Sequence, residues 1–279
     1  MEFVDILLKR FDGDSELRKA TNALVCFSSP ETGKKLAQLT YQMVMTRSEG
    51  SSMALLYFIN SNQEEMTPEE MSRLQSKISS DLMPKSEKEK ITLRTFISDE
   101  EKHMVQIGKM IEEQGSNLMI RGISSHELSI SQVELYSQLR RDPANPVQNI
   151  LMQFPARESE ILQELTAMMG DNRIPTALFI DNNMQEAKKI FMPLLCDSDI
   201  HLFTYLYHLA QPEGMEIMVW DAIGIIDTEP RIQRVFQYIL KKSDGKVHLW
   251  NKVRKIEESF IQKQDLIVTG VGGWSRLTN

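Results

Sequence analysis

The feature that most constrains this chain is one pattern written twice. Ser116-Asn-Leu-Met-Ile-Arg-Gly122-Ile and Gln264-Asp-Leu-Ile-Val-Thr-Gly270-Val each run from a polar start through three apolar residues to one polar residue, a glycine and another apolar residue. A buried strand that ends at a tight turn reads this way. Each follows an amphipathic stretch, Lys102–Gly115 and Lys252–Lys263. Upstream, Ala23-Leu-Val-Cys26-Phe answers to Lys189-Ile-Phe-Met192-Pro, and Met53-Ala-Leu-Leu-Tyr-Phe58-Ile to Met215-Glu-Ile-Met-Val-Trp220. Ile91-Thr-Leu-Arg-Thr-Phe96 answers to Lys246-Val-His-Leu-Trp250. The offsets shrink in order, 189−23 = 166, 215−53 = 162, 246−91 = 155 and 264−116 = 148, as a duplication with trimmed connectors requires.

Short apolar strands alternating with helical segments, 34–45 and 200–210 among them, predict βαβ units and a parallel sheet with helices on both faces. The first copy gains a fifth strand, Ile174-Pro-Thr-Ala-Leu-Phe-Ile180-Asp, after a helix over 158–169 that Gly170-Asp-Asn ends. The expected domains are a lead-in over 1–20, a first domain over 21–183 and a second over 187–279, the last reading as cut after its fourth strand.

Charge narrows the function. Against 32 Lys and Arg stand 39 Asp and Glu, and the halves split at residue 150 carry 18−22 = −4 and 14−17 = −3. Neither half can neutralise phosphates as a duplex-binding module must, so nucleic acid is excluded as an expected partner. The longest stretches without Asp, Glu, Lys or Arg, 50–63 and 143–156, fall short of the roughly 18 residues of a spanning helix. Two cysteines make no disulfide framework, and Met1-Glu-Phe-Val-Asp5 is no secretion signal, so a cytosolic setting is expected.

Asp265-Leu-Ile-Val-Thr-Gly270-Val-Gly-Gly273 resembles the fourth-strand signature of universal stress protein domains, and Asn117-Leu-Met-Ile-Arg-Gly122 resembles a weaker form of it. Tandem copies of that fold, which is Rossmann-like and akin to the adenine nucleotide alpha hydrolases, form the cytosolic C-terminal region of monovalent cation:proton (Na+/H+) antiporters. Glu16-Leu-Arg-Lys-Ala-Thr-Asn-Ala-Leu-Val-Cys26 is similar to the entry into that region, Ile174–Asp181 to its linking segment, and Lys188-Lys-Ile-Phe-Met-Pro193 to the start of its second copy. The resemblance spans roughly residues 16–279. It implies a regulatory, non-enzymatic domain whose partner is the membrane transport domain of the same polypeptide, with a homodimer as a further partner. The alternatives are a free-standing tandem stress protein that binds ATP or a related nucleotide such as AMP, and a ligand-free dimerisation scaffold.

The candidate nucleotide-binding residues are Gly270, Gly272 and Gly273, placed where loop amides favour phosphate. The competing reading, turn glycines with no ligand, leads in both copies and more strongly for Gly122-Ile-Ser-Ser125 than for the Gly270 turn. No catalytic residue and no metal ligand is expected. His201 and His208 are seven apart, on one helix face, without further ligands at a productive spacing. Cys26 and Cys196 read as small buried hydrophobes, the 17 methionines as gap fillers and Trp274 as a packing residue. Ser29-Pro30 reads as a helix start, and Thr67 with Glu70 as a capping box opening an acidic helix.

Overall fold

The computed structural model describes residues 20–44, 50–59, 67–82, 92–99, 103–123, 174–181, 184–250 and 256–270. The predicted lead-in up to residue 19, the helix expected over 158–169, and Gly272, Gly273 and Trp274 lie outside the described residues. Contacts divide the described residues into two compact units, one within Ala20–Asn183 and the other within Met184–Asn279. Each is an α/β unit of Rossmann-like type, a parallel sheet flanked by helices.

The first unit runs β1 (Asn22–Phe27), α1 (Pro30–Val44), β2 (Ser52–Ile59), α2 (Pro68–Leu82), β3 (Thr92–Asp99), α3 (His103–Gln114), β4 (Leu118–Ile123) and β5 (Thr176–Ile180). Its five strands lie in the order β3-β2-β1-β4-β5, every neighbour parallel. The central strand β1 is buried on both faces from Ala23 onward, which is why its sequence is a continuous apolar run. One face packs Leu24, Cys26, Ala54, Leu56, Phe58 and Met119 on Ile107, Met110 and Ile111 of α3. On the other, Gly33 lets α1 settle onto the ring of Phe27, which a Cβ at that position would overlap. Helix α2 opens on the expected box: Thr67 donates its N–H to Glu70 Oε2 at 2.9 Å, and Glu70 returns its N–H to Thr67 Oγ1 at 3.3 Å.

The second unit runs β6 (Lys189–Leu194), a 3-10 turn (Asp197–His201) continuing into α4 (Leu202–Leu209), β7 (Glu216–Asp221), α5 (Ile225–Thr228), α6 (Pro230–Lys242), β8 (Val247–Leu249), α7 (Glu258–Ile261) and β9 (Leu266–Ile267). Its strand order, β8-β7-β6-β9, repeats the third-second-first-fourth order of the first unit, again all parallel. Phe203 and Phe236 meet at 5.6 Å between α4 and α6, while Phe260 of α7 packs edge-on to Phe191 at 5.3 Å and lies 4.3 Å from Trp250. Helix α7 is shorter than the stretch expected over 252–263, of which residues 252–255 lie outside the described set.

The registers correct the sequence-derived offsets. Ala23 faces Met53 and Leu118, and Met53 faces Leu93; Ile190 faces Ile217 and Leu266, and Ile217 faces Val247. With Leu118 set on Leu266, the offsets become 190−23 = 167, 217−53 = 164, 247−93 = 154 and 266−118 = 148. Three of the four sequence offsets were out, by one or two residues. Strands buried on both faces lack the alternation that would pin their alignment, so an apolar run slides along another unnoticed. A polar contact supports the corrected frame. Asn117 Oδ1 accepts the N–H of Asn22 at 3.0 Å, and at the equivalent place Asp265 Oδ2 accepts the N–H of Lys189 at 2.7 Å and of Lys188 at 3.0 Å. Among the described residues no helix is long and apolar enough to cross a membrane.

Candidate functional site

A sheet ordered third-second-first-fourth reverses its winding between the first and fourth strands, and the crevice beyond their carboxyl ends is where such folds take ligands. Here that point lies between β1 and β4 in the first unit and between β6 and β9 in the second.

In the second unit the chain itself fills this point. Asp199, fully buried in the 3-10 turn after β6, accepts the N–H of Leu195 at 2.7 Å and of Cys196 at 3.0 Å, both on Oδ2. Cys196 is the residue before the turn and Asp199 the third residue of it, so this is a capping box with a buried carboxylate. The amides at the end of β6, which a bound phosphate would need, thus already have an anion. Gly270 is buried directly against it: a Cβ there would overlap Asp199 Oδ1 and stand 3.2 Å from His201 Cε1. The glycine is required by packing, whatever else meets the turn. Oδ1 has no hydrogen-bond partner among the described residues, nor does the buried hydroxyl of Thr269. Beyond β7 the device recurs, with Asp221 accepting the N–H of Ile225 on Oδ1 at 2.9 Å and of Ile226 on Oδ2 at 2.8 Å. Gly224, at φ 74°, makes the turn between them.

The first unit meets its reversal point differently. Gly122 lies under α1, and a Cβ there would press on Leu36 and stand 2.7 Å from Thr32 Cγ2, so this glycine too serves helix-on-strand packing. Lys35 of α1 donates to both carboxylate oxygens of Asp181, just past β5, at 2.9 and 2.7 Å. The pair is largely out of solvent, with side-chain exposures of 18% and 7%. Arg121 stands in β4 one residue before Gly122, in register with Cys26 of β1 and Leu178 of β5. Burial pushes the Cys26 thiol up to about 12, against the pull of the Arg121 charge. A thiol so held stays protonated at neutral pH and is no nucleophile.

Of the sequence candidates, then, Gly270 is the one the described residues place. Cys26 and Cys196 are buried free thiols, and His208 is buried in α4 while His201 is half-buried with Nδ1 2.6 Å from the Ser198 carbonyl. Among the described residues no group of three or more His, Cys, Asp or Glu side chains is arranged to hold a metal ion. Sequence reading missed Asp199, Arg121 and the Lys35–Asp181 pair. Cys196 hid the first, because the capping spacing is looked for after Ser, Thr, Asp or Asn. The signal for Arg121 was available: one charged residue inside an otherwise apolar strand.

No family model matches the chain, and no curated protein sequence matches it. Among solved structures it is similar to a Listeria monocytogenes protein assigned as a UDP-N-acetylglucosamine 2-epimerase (11% identity, 91% of this chain, 75% of that one, TM-score 0.26). It is similar also to the UDP-GlcNAc 2-epimerase of Neisseria meningitidis (10%, 91%, 78%, 0.24) and to a short-chain dehydrogenase of Oenococcus oeni (8%, 91%, 97%, 0.24). Overlaps this loose carry nothing about function to this chain.

Proposed function

We propose that the chain is the cytosolic regulatory region of a cation:proton antiporter, built from two universal-stress-protein-like units that bias an attached transporter without chemistry of their own. The observation that carries this reading is the repetition itself. Two parallel sheets share one strand order, and a side chain at the same place in each, Asn117 and Asp265, caps the start of the first strand. Such a repetition supports the tandem organisation that the resemblance implies. The filled reversal point of the second unit adds support, since a module with its phosphate-binding amides already satisfied suits a mechanical role. Coupling then runs through a conformational or association change, which shifts a transport equilibrium only as far as the two states differ in free energy.

The gene that encodes this chain tests the reading first. It should encode about a dozen apolar segments upstream, the number a transporter of this kind needs (a resemblance-based expectation). Deleting residues 20–279 from the full polypeptide should then alter the ion or pH dependence of antiport in membrane vesicles while leaving transport itself. A transporter indifferent to the deletion, or a coding sequence without such segments, would overturn it. A nucleotide at the Gly270 turn is the rival. It has to displace Asp199, so the intact chain should show no rise in thermal midpoint with millimolar ATP or AMP that depends on Gly270.

A further inference from the structure

We propose that the first unit binds an anion, the phosphate or carboxylate group of a small ligand, against Arg121 on the α3 face of its sheet. Strand β4 reads Leu-Met-Ile-Arg-Gly-Ile, so its one charged residue interrupts a buried apolar run. Side chains two apart share a face, which sets Arg121 with Met119 on the side packed by Ile107, Met110 and Ile111. Its register neighbours, Cys26 and Leu178, belong to the same apolar cluster. The guanidinium Nη1 is shielded from solvent there and has no hydrogen-bond partner among the described residues. Arg121 as a whole is half-buried, so the cost falls on that one shielded N–H edge, which an anion reaching it from the open side of the guanidinium would satisfy. Guanidinium is the group whose planar fork matches carboxylate and phosphate oxygens.

Three features make this the place for a ligand. The unit's other inward cation, Lys35, is already held by Asp181, which leaves Arg121 as the charge to be answered. Helix α3, which packs on this face, carries no acidic residue in its first turn, although Asp99, Glu100 and Glu101 precede it in the sequence. Thr269 stands at the equivalent position of the second unit, so the site belongs to the first unit alone. The inference goes beyond the transporter reading and does not depend on it, because the assay needs only this chain.

Scanning calorimetry of the full chain would use inorganic phosphate, AMP and succinate, each against chloride at matched ionic strength. At about ten times its Kd, at least one should raise a thermal midpoint by roughly 3–5 °C. Arg121→Met should abolish that shift and, without anion, melt no lower than the parent, since it removes an unanswered charge. Arg121→Lys keeps the charge without the fork and should weaken binding about tenfold; it serves as the test if the Met variant fails to fold. A response to AMP without one to phosphate identifies a nucleotide, and equal responses identify the free anion. No shift with any probe, or an equal shift in Arg121→Met, would overturn the proposal.

Discussion

The two sheets end their strands in opposite electrostatic styles. At the carboxyl edge of the second, Asp199 and Asp221 each clamp two backbone N–H groups, so its own anions close it. At the corresponding edge of the first stand a Lys35–Asp181 ion pair and a half-buried Arg121, whose Nη1 has no hydrogen-bond partner among the described residues, so the balance there is one positive charge. Both sheets have the same winding and both reversal points carry a buried glycine. What separates them is a handful of side chains in the turns and one in a strand. The fold sets where a ligand could go; these residues set whether the place is open.

Removing the second unit's clamp should be the costliest single change. Asp199→Ala leaves the N–H groups of half-buried Leu195 and buried Cys196 without their acceptor, at about 1–3 kcal/mol for the buried donor and less for the other. All three tryptophans, Trp220, Trp250 and Trp274, lie in the second half of the chain, so tryptophan fluorescence during urea unfolding reads this unit. A loss below about 1 kcal/mol would mean that water replaces the carboxylate and that the edge is less closed than drawn.

Lys35→Met should come next. It takes the ammonium away from the largely buried Asp181 carboxylate, and for a pair at this exposure the loss should be about 2 kcal/mol, less than for a fully buried pair. The double change with Asp181→Leu should regain most of it. Far-UV circular dichroism should register the loss while tryptophan fluorescence stays unmoved; a matching loss in both signals would undo the assignment of this pair to the first unit alone.

Gly270→Ala should cost about 1–3 kcal/mol through overlap with Asp199 Oδ1. The sharper measurement is the double change. With Asp199 already Ala the nearest obstacle is gone and the contact with His201 Cε1 at 3.2 Å remains, so Gly270→Ala should then cost much less, a coupling of at least about 1 kcal/mol. Additive losses would show that the glycine is needed for another reason, a ligand among them.

How much of this could be read in advance follows from the same chemistry. The strands announced themselves because a parallel sheet buries them on both faces, and runs such as Leu24–Phe27 or Met53–Leu56 have little other use. That same uniformity hid their alignment, which only backbone register and the Asn117 and Asp265 caps fix. Gly270 was found by pattern, and its partner Asp199 was not, because overlap between a loop carboxylate and a turn glycine some seventy residues later is a tertiary fact. The Thr67–Glu70 box was legible because it is local, closing within three residues. Lys35 and Asp181 are 146 positions apart, and nothing in the sequence pairs them.

The smallest effect belongs to that local box, and it measures what burial adds to a carboxylate cap. Bonds from the N–H and hydroxyl of Thr67 hold the Glu70 carboxyl below its ordinary value of 4.5. A carboxyl lowered on folding contributes stability that is present above its unfolded value and fades as pH falls through the folded one. The start of α2 should therefore loosen only below about pH 4.5, visible as faster amide exchange at Glu70, and Glu70→Gln should remove that acid limb. Because the side chain is fully exposed, water answers the freed groups and the global midpoint should barely move. Asp199 makes the same capping contact out of water. If Glu70→Ala and Asp199→Ala lowered stability equally, the closed edge of the second unit would owe nothing to its burial, and the contrast between the two sheets would reduce to which residues happen to be charged.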